Sequence, residues 1–566
     1  MTLQQWKWGL IAAAFLAIIT SLPQIYLCYE RGLEWNGAYS YVDPDEFAYS
    51  AYVNALIDGR PRRNNPYTGE DGGPFETLFS IQFIPAYSIA IPARIFGVSA
   101  STAFIALVPT VTIASTLILF IFLFELTQNS FVSAAGAIGI LCFGVLAAQT
   151  PWAFPSVPIP FPFLRRYVPA FPFPFFFAMA LFVWRSLVKK SLLWSVLAGL
   201  ILIVLIYSYL FLWTAAVAWL TVLMILWLVA RPGDWWIVLR VFGVIALIGA
   251  VALVPYLWLL GHRAPVIDQA VLLEFSHRPD LFRGPELYGL AILICTIRLA
   301  TRGMDWREPK ILFILSFTAA PILVFNHQLL TGRSLQPFHY EWYIANYWIL
   351  TALFLALGLM WRNLPKRVLF HLAIGGFVVG MILGARGAFN TLNTNVEIDK
   401  GRALALKLKG RDGLVFTSAP LTHTLATTAS NGVLWSHYLY YFAPMDPRQR
   451  KLRFYKYLYY SAVTEQDLRV LFEREGGVRG EIFGTERANE ILTANPPPIT
   501  PHEIERAIDE YRMFCSTFNR SEAASPVLSY AVVVASADNV SNLDRWYERD
   551  VGERVGDFTV YRLSLK

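Results

Sequence analysis

Apolar runs of membrane length recur along the first two thirds of the chain and stop near residue 385. They lie near residues 8–28, 101–124, 131–148, 171–188, 192–207, 211–230, 236–260, 285–300, 311–325, 344–360 and 368–385. A hydrocarbon core of about 30 Å takes roughly 17–25 helical residues. The pattern therefore predicts about eleven transmembrane helices, the shortest only marginally long enough. The first run has no small-residue cleavage site and is too long for a signal-peptide core, so it reads as a retained span. Residues 78–97 are also apolar but carry Pro85, Pro92 and Arg94, which suits an interfacial or re-entrant segment.

Past residue 385 the periodicity changes. "DGLVFTS", "SYAVVVAS" and "FTVYRLSL" are rich in β-branched and aromatic residues and predict strands. "TEQDLRVLFERE" and "TPHEIERAIDEYRMF" each open on Thr with an acidic residue three places on, the signature of a capped helix. The expected organisation is a transmembrane catalytic unit over residues 1–385, with a first external loop at 29–100, and a small α/β domain over 386–566.

Composition agrees with a polytopic membrane protein. Of 566 residues, 56% are hydrophobic and only 15% charged, against about a quarter charged in soluble proteins. The net charge of +7 does not indicate nucleic acid as a partner. Residues 386–566 hold 23 Lys and Arg against 22 Asp and Glu, so the excess lies in the membrane half and reads as a topology signal. The four cysteines form neither a disulfide framework nor a zinc-ligand spacing.

Lysine sets the expected orientation. Residues 1–385 contain five lysines, Lys7, Lys189, Lys190, Lys310 and Lys366. With the N-terminus cytoplasmic, all five fall on the cytoplasmic side, as the positive-inside rule requires. An odd number of spans then places the C-terminal domain outside a cytoplasmic (inner) membrane, with loops 29–100, 149–170, 261–284 and 326–343. Those loops keep arginines, among them Arg165, Arg166 and Arg333, but no lysine. Arginine suits bidentate phosphate recognition, and pairing with loop carboxylates or lipid headgroups is the plainer alternative.

The first of these loops holds "YVDPDEFAYSAYVNA", with Asp43, Asp45 and Glu46 inside four residues. Asp43 fits a helix N-cap, Pro44 the first helical position and Glu46 a capping-box partner. The following residues predict a short interfacial helix that stops at Gly59 with Pro61 beyond. Capping does not require Asp45.

The order of these parts resembles the GT-C superfamily of membrane glycosyltransferases, particularly protein O-mannosyltransferases and lipid A aminoarabinose transferases. The shared features are one span, an external Asp-Glu pair opening a helix with Tyr49 three residues beyond, and the Pro/aromatic segment "GGPFETLFSIQFIPAYSIAIPARIFG". Many further spans and a C-terminal extracytoplasmic domain follow. The resemblance implies a GT-C-like fold and sugar transfer from a polyprenyl-phosphate donor to a lipid, glycan or protein hydroxyl. By position it implies Asp45 as general base and Glu46 as its supporting carboxylate, with inversion at the anomeric carbon. Arg165, Arg166 and Arg333 are the expected phosphate ligands. A divalent cation, Mg or Mn, on Asp45, Glu46 and Glu76 stays open: hard cations take oxygen ligands, but the relatives do not generally require one.

Two other constellations compete with bland readings. "TGRSLQPFHYEWY" carries Arg333 and His339, as a substrate site or as an interfacial aromatic belt. "PWAFPSVPIPFPFLRRYVPAFPFPFFF" surrounds Arg165 and Arg166, as a wall for a polyprenyl chain or as a rigid apolar loop. In "YSYLFLW", Tyr207–Trp213, the aromatics read simply as interface anchors. Rival functions are a lipid-linked polysaccharide polymerase or ligase, a transporter or flippase, and a non-catalytic scaffold. The early acidic pair argues against the first. The absence of related halves and the near absence of acidic residues within spans argue against the second.

Overall fold

The computed structural model describes the chain except residues 1, 148–160, 264–273, 301–304, 361–365, 430, 437, 440–446, 475, 485–486, 488–497 and 535–539. Each of the eleven apolar segments carries a helix. These are α1 (Leu3–Arg31), α5 (Ala100–Thr127), α6 (Ser130–Ala147), α7 (Phe173–Lys189), α8 (Leu192–Ile206), α9 (Leu210–Ala230) and α10 (Trp235–Gly261), then α11 (Gly284–Ala300), α12 (Pro309–Phe325), α13 (Asn346–Met360) and α14 (Lys366–Leu408). Among the described residues, six helical stretches are long and apolar enough to cross a membrane: Leu3–Glu34, Ala100–Thr127, Leu210–Ala230, Pro232–Gly261, Pro309–Thr331 and Ala373–Leu408. Length and hydropathy thus support six spans among the described residues, with Ser130–Val145 and Leu192–Ile206 as shorter apolar helices. The outward faces are apolar too, with Leu247, Val251, Val254 and Leu257 all exposed on α10, a surface suited to lipid rather than water.

The elements between α1 and α5 depart from expectation in one respect. The first is α2 (Asp45–Ile57), which ends at Asp58 and Gly59 as the sequence predicts; Gly59 takes φ +89°. It does not lie on a surface. Every residue from Glu46 to Leu56 is buried, because α2 is packed between α4 (Ile84–Ile95), α5 and α15 (Ala419–Thr428). The Pro-bearing stretch folds as α3 (Leu78–Ile81) and α4, whose 12 residues are too short to span.

The eleventh segment does not end at residue 385. Helix α14 runs on without a break for 43 residues, and its distal half grips the loop that leads to the acidic cluster. Asp399, fully buried, accepts from Arg31 Nε at 2.9 Å and from the backbone N–H groups of Asn36 and Ala38 at 3.0 and 3.1 Å. Asn395 accepts from the Tyr41 N–H at 2.8 Å and donates to its carbonyl at 2.9 Å.

The C-terminal region forms the expected small α/β unit. Strands β3 (Val415–Phe416), β4 (Tyr530–Val534), β7 (Phe558–Leu565) and β5 (Tyr547–Arg549) lie in that order, with β6 (Glu553–Val555) also on β7. Among these described strand pairs β3–β4 is parallel and the others are antiparallel. The predicted helices are present at Glu465–Arg474 and Pro501–Thr517, the latter with a complete Thr500–Glu503 capping box. This region packs directly on α2. His423 stacks on Phe47 at 4.8 Å, and the Tyr438 hydroxyl donates to the Pro44 carbonyl at 2.5 Å.

Candidate functional site

The capping box at the head of α2 is half formed. Glu46 Oε1 accepts from the Asp43 and Val42 N–H groups, each at 2.9 Å, while Asp43 Oδ1 turns to the Asp45 N–H at 3.0 Å. The geometry sends the three carboxylates in two directions. Glu46 is completely buried, and its second oxygen meets Arg166 at 2.7 Å. Arg166 also donates to the Phe104 carbonyl at 3.0 Å, so both charges are consumed inside the protein. Asp43 and Asp45 face the other way and hold Arg165 between them, Asp43 at 3.2 Å and Asp45 in direct contact. Burial, offset in part by Arg165, together with the Asp45 charge, holds the Asp43 carboxyl above the usual carboxylate range.

Asp43, Asp45 and Arg165 line a cavity of about 320 Å³, within the size range of small-molecule sites. Its walls come from four separated stretches: Tyr49 on α2 with Phe79 on α3, the Arg165–Val168 loop, Tyr209–Phe211 at the head of α9, and Gln336–Tyr343 before α13. Tyr49 and Tyr343 lie 5.6 and 5.8 Å from the Arg165 guanidinium. Arg165 also donates to the Val168 carbonyl at 3.0 Å. His339 is buried, stacked on Phe211 at 4.3 Å, and 2.5 Å from the Tyr209 hydroxyl through Nδ1. Burial first, then the Arg165 charge, pushes its imidazole well below the usual range, so the ring is neutral.

Of the residues singled out by sequence, Asp45, Tyr49, Arg165 and His339 meet in this cavity. Four do not. Glu46 and Arg166 form the buried pair behind it. Arg333 is exposed on strand β2 (Arg333–Ser334), which pairs with β1 (Glu274–Phe275). Glu76 is clamped by Arg62 at 2.6 and 2.7 Å and by Ser80 at 2.6 Å. Asp45, Glu46 and Glu76 thus form no shared donor set for Mg or Mn. Among the described residues no group of three or more His, Cys, Asp or Glu side chains could hold a metal ion. Residues 151–160 of the Pro/Phe segment 151–177 lie outside the described residues. From 161 onward the segment is largely buried, and its Arg165–Val168 stretch lines the cavity.

Sequence reading missed Tyr209 and Phe211, dismissed as interface anchors, and the aromatic set Phe338, Trp342 and Tyr343. Tyr and Trp are expected at that depth in any case. Only the surplus of aromatics on several loops assigned to the same face hinted that they share a wall.

No family model matches the chain, and no curated protein matches it. Among solved structures it is similar to ArnT from Cupriavidus metallidurans bound to undecaprenyl phosphate, at 12% identity over 97% of both chains with a TM-score of 0.40. The apo form of that protein gives 13% identity over 92% of this chain and 94% of that one, with a TM-score of 0.40. The oligosaccharyltransferase of Archaeoglobus fulgidus, tethered to an acceptor peptide, gives 11% identity over 98% of this chain and 74% of that one, with a TM-score of 0.38. Overlaps this loose say nothing of activity, and the functional reading rests on the site's own residues.

Proposed function

We propose that this chain is a membrane glycosyltransferase that moves a sugar from a polyprenyl-phosphate donor to an acceptor hydroxyl, at the outer face of a cytoplasmic membrane. The carrying observation is the convergence of a partly exposed carboxylate, Asp45, and a buried guanidinium, Arg165, on one aromatic-walled cavity in an otherwise apolar helical protein. Aromatic faces suit a sugar ring, and the apolar protein exterior suits the polyprenyl chain.

The acceptor oxygen attacks the anomeric carbon while its proton passes to Asp45. The bond from that carbon to the phosphate oxygen breaks, and the electron pair leaves with the phosphate. Arg165 faces the charge that develops there, with its five donors fixed in a plane. Asp43 keeps hold of Arg165 while Asp45 turns to the acceptor. Phosphate leaves without needing a protonated acid, which fits a cavity whose histidine is neutral. Glu46 and Arg166 act behind the site, fixing the head of α2. A single displacement inverts the anomeric configuration.

The test is release of polyprenyl phosphate from a labelled polyprenyl-phosphate sugar by the purified protein in detergent or lipid. Asp45→Asn keeps shape and removes the base, so transfer is expected to fall by about 10²–10⁴-fold with an unchanged melting temperature. Normal transfer by that variant removes Asp45 from the chemistry. A polymerase or ligase would instead lengthen or attach a glycan with the same donor, which the product's size distinguishes.

A further inference from the structure

The turn at Tyr207–Trp213 places one hydroxyl between two groups of the cavity. The Tyr209 oxygen is 2.5 Å from His339 Nδ1, and the positive charge of Arg165, which lines the same cavity, acts on that hydroxyl. A guanidinium is a cation that carries only donors, so the phenolic oxygen turns its lone pairs, not its hydrogen, toward that charge. The one phenolic hydrogen then turns toward His339, and Nδ1 receives it. A neutral imidazole with a bare Nδ1 carries its own hydrogen on Nε2. Among the described residues Nε2 has no bonded partner, and the ring lines the same cavity as Asp45.

We infer that Arg165 and Tyr209 lock His339 in the Nε2–H form, so that the cavity presents a fixed, uncharged hydrogen-bond donor to an oxygen of the bound glycosyl phosphate. Tyr209 is the positioning residue and His339 the ligand-touching one. This deepens the reading of the cavity as the donor site and rests on it. The logic is electrostatic. A second cation beside Arg165 would be repelled, whereas a neutral N–H adds directional binding with no charge. Stacking on Phe211 at an interplanar angle of 7° holds the ring in the plane the bond needs.

Two measurements decide it. The first is the ¹⁵N spectrum of protein labelled at its histidine side chains, with the His339 signals assigned by their loss in His339→Gln. Wild type should show a bare, hydrogen-bonded Nδ1 and a protonated Nε2, and Tyr209→Phe should lose that lock and give mixed tautomers. This readout does not depend on transfer, so it stands or falls apart from the glycosyltransferase reading. The second is a pair of substitutions judged by KM and by binding. Gln places an amide N–H near the Nε2 position and should keep donor use within about tenfold of wild type, whereas Asn reaches only the Nδ1 position and should lose roughly 10- to 100-fold in KM with little change in kcat. Binding of polyprenyl phosphate without sugar tells which oxygen is held. A loss shared by both lipids assigns the phosphate, and a loss confined to the sugar-bearing lipid assigns a sugar hydroxyl. A wild-type proton on Nδ1, or equal losses in the Gln and Asn variants, overturns the inference.

Discussion

Replacing Glu46 by Gln should act on folding before it acts on chemistry. The substitution keeps a side chain able to accept from the Asp43 N–H, yet it leaves Arg166 as a buried charge without its carboxylate. Breaking one side of a buried pair typically costs roughly 3–5 kcal/mol. A lower melting temperature and yield are therefore expected, with activity per folded molecule largely kept. A stable but inactive variant would move Glu46 from the frame into the reaction. Glu481 offers a second residue-scale test, in the C-terminal region. Burial, opposed by Arg450 at 3.0 Å, pushes its carboxyl up to about 7 from the usual 4.5. Between those values the folded chain holds a proton that the unfolded chain has lost, so stability falls as pH rises through this window and levels off above it. The span corresponds to about 3 kcal/mol. Melting temperatures measured from pH 4.5 to 7.5 should decline less steeply in Glu481→Gln than in wild type, and equal slopes would assign the decline elsewhere.

Two elements set the position of the acidic loop. Helix α2 presents Asp45 at its open end only because its whole length is covered, by α4 and α5 on one side and α15 on the other. The distal half of α14 holds the loop before it through Asp399 and Asn395. Asp399→Asn keeps the size but removes the charge that Arg31 and two backbone N–H groups share. It should destabilise the protein by several kcal/mol, as for any broken buried pair, and lower transfer even though Asp399 lies outside the cavity. Restoration of transfer when the variant is assayed well below its melting temperature would limit Asp399 to stability alone. The end of α14 was not legible in the sequence, because hydropathy marks where lipid contact ends and not where a helix stops. The cap residues of Pro501–Thr517 were legible because their bonds are local.

At the scale of the molecule, four chain segments far apart in sequence converge on one cavity, and the lysine pattern assigns all of them, the tight turn at the head of α9 included, to the outer face. Their convergence requires that they share a side of the helix bundle. Reporter fusions test which side that is. A reporter after Lys566 should read as extracytoplasmic and one after Lys190 as cytoplasmic. The opposite result would place the cavity, and with it the donor lipid, on the cytoplasmic face.

Hydrophobic patterning by itself determined the eleven helical segments, the C-terminal strands β3, β4 and β7, and the capped helices, because each depends on contacts within a few residues. The acidic triplet was visible for the same reason, as a helix start with one carboxylate to spare. Only the tertiary structure decided which carboxylate faces the cavity, which of two adjacent arginines is spent on Glu46, and that Tyr209 and His339, 130 residues apart, share a hydrogen bond. Neighbours in a helix start point about 100° apart, so Asp45 and Glu46 meet different surroundings. Those surroundings are built by α5, the Arg165–Val168 loop and the segment before α13, and no local pattern encodes how distant segments come together.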